Sequence, residues 1–209
     1  MRIRISRMMG IAAVALGCGC GQPAGEPEET IAPMEEPEAQ AVEPTGEARR
    51  AVATLEAKSG SSLTGEAFFV PQSGEVSFEV HVENVEPGLH AVHIHESGDC
   101  SAADASSAGE HWNPTNEQHG RRDEGPHHLG DIGNMEVGED GGSLSLSTDA
   151  WSLEDMGERS VLGKALVVHA GEDDFTTQPD GGAGDRIGCG VIEWKQEQDP
   201  PRERPEGTT

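Results

Sequence analysis

His93 and His95 stand two positions apart in the run GLHAVHIH, and a third histidine, His169, closes the apolar run ALVVH. In an extended strand residues i and i+2 leave the same face. His93 and His95 would therefore project side by side while Val92 and Ile94 enter a core, and two imidazoles on a rigid strand suit a copper or zinc ion. Between the two runs lie His111, His119, His128 and Asp131. Neutral imidazoles with one carboxylate, presented by a loop, make a tetrahedral zinc shell. Taken singly these signals are modest, since a lone His-x-His on a strand is more often incidental and His-x-x-Asp in a loop is weaker still. Six histidines and an aspartate drawn from two strands and one loop carry weight together.

Such groups need elements to hold them. The stretch Glu75–Asn84 alternates strictly, with Val76, Phe78, Val80 and Val82 on one side and charged or polar residues on the other, which predicts a half-buried strand. Similar short runs occur at Ala51–Ala57, Leu63–Val70, Leu89–His95, Ile132–Val137, Ser143–Ser147, Gly163–His169 and Gly190–Trp194. Turn-forming residues separate them: Pro71-Gln72-Ser73-Gly74, Glu86-Pro87-Gly88 and Glu139-Asp140-Gly141-Gly142. No amphipathic helical pattern of useful length is present and there is no internal repeat. Eight short strands with this punctuation predict an all-β antiparallel sandwich or barrel. Two segments, Glu96–Gly130 and Ala170–Gly188, are long and poor in apolar residues, and loops of that length in a compact domain are usually functional.

The 209 residues hold 39 acidic and 14 basic side chains, a net charge of −25. That excludes nucleic acid as a partner, because phosphate binding runs on clustered basic groups, and disfavours an anionic membrane surface. Residues 1–20 carry Arg2, Arg4 and Arg7 ahead of a short apolar run from Met8 to Leu16, which reads as a bacterial-type export signal, too short to span a bilayer. Ala15-Leu16-Gly17-Cys18 resembles a lipoprotein cleavage site, with Cys18 the candidate lipid anchor, although Ala15 stands where Leu is usual. Residues 21–48, rich in Glu and Pro, read as a disordered acidic tether, and 197–209 as a disordered tail. The globular body is then 49–196. It holds 27 acidic and 9 basic residues, so it is itself near −18. The tether and a lipid on Cys18 would be its link to a membrane, placing it in the periplasm or at the cell surface.

The segments GLHAVHIHESGDC (88–100), SAGEHWNP (107–114), HLGDIGN (128–134), GKALVVHAGEDD (163–174) and GAGDRIGCGVIEW (182–194) together resemble the copper/zinc superoxide dismutase family. The resemblance implies an eight-stranded antiparallel Greek-key β-barrel, immunoglobulin-like in its sandwich architecture, with two long functional loops. It implies dismutation of superoxide to oxygen and hydrogen peroxide at a copper centre joined through an imidazolate to a structural zinc. Copper would be held by His93, His95, His111 and His169, and zinc by His111, His119, His128 and Asp131, with His111 the shared ring. Asp173 matches a carboxylate linking ligands of the two metals, and Arg186 an arginine that attracts and orients the substrate anion. Cys100 and Cys189 would form the intrachain disulfide. Oligomeric state stays open between monomer and homodimer.

Two other functions compete: a copper- or zinc-binding protein of the same family with little turnover, and a zinc hydrolase, which lacks an evident general base. The remaining histidines have ordinary explanations. His90 reads as a hydrogen-bonded structural residue, His81 as solvated, and His127 as an alternative to His128 that the His-x-x-Asp spacing disfavours. Trp112 reads as packing, and Glu172 and Asp174 as loop solvation. An anionic substrate and an acidic body conflict, because such enzymes focus their substrate with local positive charge. The second long loop has no Lys or Arg before Arg186, and Arg121, Arg122 and Lys164 are the remaining candidates. Weak or inverted salt dependence is expected.

Overall fold

The computed structural model describes residues 49–154 and 157–195. The export signal, Cys18, the acidic tether and the tail from 197 lie outside the described residues. Among the described residues nine strands run in order: β1 (Ala51–Ala57), β2 (Thr64–Gln72), β3 (Glu75–Glu83), β4 (Gly88–His95), β5 (Asp131–Gly138), β6 (Gly141–Thr148), β7 (Ala165–His169), β8 (Arg186–Val191) and the two-residue β9 (Glu193–Trp194). All pairings between them are antiparallel.

The hydrogen-bonded order β2-β3-β6-β5-β4-β7-β8-β1 closes on itself through β1–β2, giving an eight-stranded barrel of Greek-key type. Closure removes the open sheet edges that would otherwise recruit other chains. The final expected strand is displaced and divided. Arg186 already belongs to β8, and β9 continues the same path along β1 after a break at Ile192, whose N–H and C=O bond to Lys164 and Gly163 instead.

The period-two reading holds inside the barrel. Val76, Phe78, Val80 and Val82 of β3 are buried with Ala67 and Phe69 of β2. Phe69, Phe78 and Trp151 form an aromatic trio with centroids 5.0 to 6.1 Å apart, a large apolar contribution to the core. The first hairpin is tighter than its sequence predicts. β2 runs through Pro71 and Gln72, and only Ser73 and Gly74 turn the chain, with φ of 52° and 92°. Positive φ at both positions is the type I′ turn, whose twist matches that of the flanking strands.

One outer face of the barrel is covered rather than solvated. On β4 every residue from His90 to His95 is buried, as are all five of β7. Val92, Ile94, Leu166 and Val168 point into the main core, while Ala165 and Val167 pack outward against Ala105, Ala108 and Cys189. The two long segments of the sequence supply this cover, and the histidines lie beneath it.

Candidate metal centre

His93 and His95 project from β4 on the face opposite Val92 and Ile94, as their spacing requires. A register shift between Val92 and His93 turns the strand toward Asp131 of β5. His169 ends β7, paired in register with Arg186 of β8 across a second irregularity. His111 is less free than a loop residue. Its segment bridges to His95, with Trp112 N–H donating to Ile94 O at 2.8 Å and Glu96 N–H to Glu110 O at 3.0 Å. The same stretch is tied down by Gly130, whose backbone passes so close to Ile94 O that a Cβ there would collide with it.

Two groups of four residues result, His93, His95, His111 and His169 on one side and His111, His119, His128 and Asp131 on the other. All are buried, and the donor atoms of each group lie within 4.8 Å of one another. His111 belongs to both, its ring centroid 4.1 Å from that of His93 and 5.6 Å from that of His128.

The hydrogen bonds fix which nitrogen of each ring is left over. Asp173, a carboxylate, can only accept. His93 Nε2 donates to its Oδ2 at 2.9 Å and His119 Nε2 to its Oδ1 at 2.8 Å, so the lone pairs of both rings sit on Nδ1. His95 Nδ1 donates to Gly109 O at 2.9 Å and His169 Nδ1 to Gly184 O at 3.3 Å, which leaves Nε2 as the lone-pair atom on each.

The four atoms so predicted, His93 Nδ1, His95 Nε2 and His169 Nε2 on one side and His119 Nδ1 on the other, are buried without a hydrogen-bond partner, and so are His111 Nε2 and His128 Nδ1. Asp131 Oδ1 lies 3.0 Å from Nδ1 of His111 and of His119 and 3.3 Å from Nδ1 of His128. Only the His111 approach has the geometry of a hydrogen bond, so these atoms are donors arranged around a common centre. An orphaned buried polar atom costs about 1–3 kcal/mol, and six gathered in two clusters fit two soft-to-borderline cations.

Protonation follows the same division. Burial pushes His93 down to about 4, opposed in part by its bond to Asp173, and pushes His95 down to about 2, with His111 adding to the effect. Burial and the nearby His93 hold His169 well below the usual histidine range. These rings are neutral at physiological pH and their lone pairs are available. Burial also acts against charge on His119, but Asp131 and Asp173 outweigh it and push the ring up to about 9. Both carboxylates are buried yet held well below their ordinary range by the histidines they face. The pair of aspartates favours a cation between them.

Much of the supporting structure is not evident from the sequence. Asn134 clasps the Asp173 backbone through two hydrogen bonds. The Gln178 amide does the same for His119, accepting from its N–H and donating to its C=O, each at 2.9 Å. Asn134 lies in the HLGDIGN segment and had a signal; Gln178 had none. His90 is structural as expected, each ring nitrogen facing a backbone carbonyl, that of His169 and that of Glu86. His81 is exposed beside Glu79, and His127 bonds only to Gly125 O, outside both groups. Trp112 is packed in the core. Asp174 does more than solvate its loop, accepting from Thr176 N–H and from both the N–H and the hydroxyl of Thr177.

Cys100 and Cys189 are disulfide-bonded, joining the first long loop to β8. On that loop Ala105 O accepts from Arg186 Nη1 at 2.9 Å, so the arginine is held from both ends of the cross-link while staying partly exposed. The other basic candidates are engaged elsewhere. Arg121 stacks on Phe175 and pairs with Glu124, Arg122 bonds to backbone carbonyls, and Lys164 lies over Trp112.

A family model described as copper/zinc superoxide dismutase matches residues 63–192. The protein named superoxide dismutase [Cu-Zn] of Onchocerca volvulus is 38% identical over 120 residues, which cover 53% of this chain and 75% of that protein. A crystal structure of the clock protein EA4 superposes with a TM-score of 0.62 at 31% identity, over 71% of this chain and 96% of its own.

Proposed function

Since the chain belongs to the copper/zinc superoxide dismutase family, we propose that its buried histidine cluster is the two-metal centre at which it dismutes superoxide to oxygen and hydrogen peroxide. His93 Nδ1 and the Nε2 atoms of His95, His111 and His169 would hold copper. Zinc would be held by the Nδ1 atoms of His111, His119 and His128 and by Asp131 Oδ1. When bound, copper supplies the one-electron couple that both halves of a dismutation need, and zinc, redox-silent, supplies a fixed positive charge at the far nitrogen of His111.

The protein's own groups do the rest. Arg186, opposite His169 and tethered to Ala105 O, presents the positive end that draws in the anion and orients it. His111 is the proton-carrying residue. Held at Nδ1 on the Asp131 side, it can accept a proton at Nε2 and pass it to the reduced dioxygen anion; solvent supplies the second proton of hydrogen peroxide. Asp173, bonded to one ring from each group, locks both tautomers so that neither lone pair turns away. The covering loops keep bulk water from the donor nitrogens, of which none belongs to a residue more than 6% exposed.

The observation that carries this reading is the match between the orphaned nitrogens and the tautomers that the hydrogen bonds impose. Arg186, placed opposite His169, favours an enzyme over a storage protein, because it adds nothing to metal capture. The test is metal analysis together with superoxide consumption, on the wild type and on His111→Ala. The wild type should hold one copper and one zinc and consume superoxide catalytically, and the variant should lose zinc affinity and turnover. Equal activity in the two would remove His111 from its shared position, and two bound metals without turnover would favour the storage reading.

Residues 1–20 are read as an export signal and Cys18 as the lipid-bearing residue, with 21–48 a tether and 49–196 the catalytic body, monomeric or homodimeric. The mass of the mature N-terminal peptide tests the first two assignments.

A further inference from the structure

His128 and Asp131 come from one tight turn, and the turn is held on the side away from the donor atoms. Within it, Asp131 N–H donates to His128 O at 3.0 Å, and Asp131 Oδ2 accepts from the N–H groups of His128 at 2.8 Å and Gly120 at 3.2 Å. Outside it, Arg122 spreads its guanidinium over three acceptors. Nε donates to Asp131 O at 3.1 Å, Nη2 to Leu129 O at 3.0 Å, and Nη1 reaches Thr148 Oγ1 on β6 at 3.4 Å. Leu129 O takes a second donor, Trp151 Nε1, at 2.8 Å. The guanidinium carbon stands 4.8 Å from the Trp151 ring centroid. Trp151 is 2% exposed and packed on Phe69 and Phe78.

We propose that Arg122 and Trp151 are positioning residues for the zinc side alone, a brace fixing the 128–131 turn to the barrel core so that His128 Nδ1 and Asp131 Oδ1 are aimed before any metal arrives. This rests on the assignment of that group as the zinc site. The chemistry of the two side chains fits the task. A planar guanidinium presents five donors spread over three nitrogens in a fixed fork and so reaches two carbonyls and a hydroxyl that stand apart, whereas the three donors of a lysine leave a single rotating atom. An indole N–H is donor only, and in a buried ring it locates its acceptor rigidly. The rings that belong to the copper side alone, His93, His95 and His169, are oriented instead by β4 and β7 and by Gly109 O, Gly184 O and Asp173, none of which the brace touches directly. The brace also explains why Arg122 cannot serve to steer the substrate.

The experiment measures zinc and copper affinities of the metal-free protein by competition with a chromophoric chelator, for the wild type, Arg122→Lys and Trp151→Phe. Cobalt(II) absorption spectra of the same proteins report donor geometry in the zinc position. Arg122→Lys should weaken zinc binding by about 10–100-fold, the range for partners that orient metal ligands. Trp151→Phe, which keeps a ring against Phe69 and Phe78 and removes only the donor, should weaken it by about 5-fold, one hydrogen bond's worth. Both should shift the cobalt spectrum, and copper affinity should stay within about 2-fold, well below the outer-partner range. Unchanged zinc affinity, or an equal fall for both metals, overturns the brace. Should Arg122→Lys fail to fold, the zinc-to-copper ratio of Trp151→Phe decides alone. A wild type that takes up no zinc would overturn the site assignment itself, whereas normal wild-type binding with unaffected variants would overturn only the brace.

Discussion

The two halves of the proposed metal centre are built by different means. On the copper side three of the four rings stand on barrel strands, His93 and His95 on β4 and His169 at the end of β7. Their positions follow from the register of a packed sheet, and burial, reinforced by the neighbouring rings, keeps them neutral. On the zinc side His119 and His128 come from the first long loop and Asp131 from the residue where β5 begins. There the donors are placed by a polar network of Asp131, Asp173, Gln178, Asn134 and Arg122, and two carboxylates favour positive charge. A sheet can position a ligand by packing, whereas a loop needs hydrogen bonds to do the same. The halves should therefore fail differently.

The sharpest break is His169→Ala. It removes a strand-borne copper donor and leaves the zinc group untouched. Superoxide consumption should fall by more than the roughly 10–100-fold typical of an outer partner, while zinc content in metal analysis stays at the wild-type level. Loss of both metals together would show that the halves are not separable.

Acid tests the other contrast in the metal-free protein. His93, His95 and His169 have folded-state values below their unfolded ones, so below about 6.5 the unfolded chain binds protons that the folded one refuses. Stability is thus lost as pH falls. His119 has the opposite shift, and its contribution is complete below about 6.5 and lost as pH rises through about 9. The depressed carboxylates matter only lower, as pH falls below about 4. Urea unfolding of the metal-free protein should therefore show about 2–4 kcal/mol less stability at pH 5 than at pH 6.5. His95→Gln should flatten that slope and His119→Gln should not.

Asp173→Asn probes the one group the halves share. An amide can satisfy one ring but not accept from two with full charge, so copper and zinc affinities should both fall by about 10–100-fold. A loss confined to one metal would mean that Asp173 serves only that side. Gly181 belongs to the same test. It has φ of +69°, and a Cβ there would collide with Asp173 Oδ1 and His119 Nε2.

This contrast also explains what the sequence could reveal. The strand alternation in Glu75–Asn84 and the spacing of His93 and His95 are local patterns, and the barrel reproduces them up to Glu83, where Asn84 leaves the strand with φ of 60°. The donor set was legible because histidine and aspartate announce their chemistry. The parts that stayed hidden act through the backbone or through space. Gly109 O and Gly184 O are carbonyls without side-chain identity, Gln178 meets His119 across 59 positions of sequence, and Arg122 read as a candidate steering charge because nothing local shows that its donors face inward. The divided last strand was hidden for the same reason, since its break depends on where Lys164 runs.

The smallest effect expected is on salt dependence. Arg121, Arg122 and Lys164 are engaged in stacking or hydrogen bonds, leaving Arg186 facing an acidic body. Raising ionic strength from about 0.01 to 0.15 M screens fields beyond a Debye length. The superoxide consumption rate should then change by less than about 2-fold, or rise, in contrast to the steep fall of electrostatically steered association. A steep fall would show a positive patch elsewhere on the surface.

Anomalous diffraction at the copper and zinc absorption edges, on crystals of the metal-loaded protein, tests the shared-ring architecture most directly. It should place a copper peak among His93, His95, His111 and His169 and a zinc peak among His111, His119, His128 and Asp131, with the His111 ring between them. A single ion, or two ions with His111 bound to neither or only one, would contradict it.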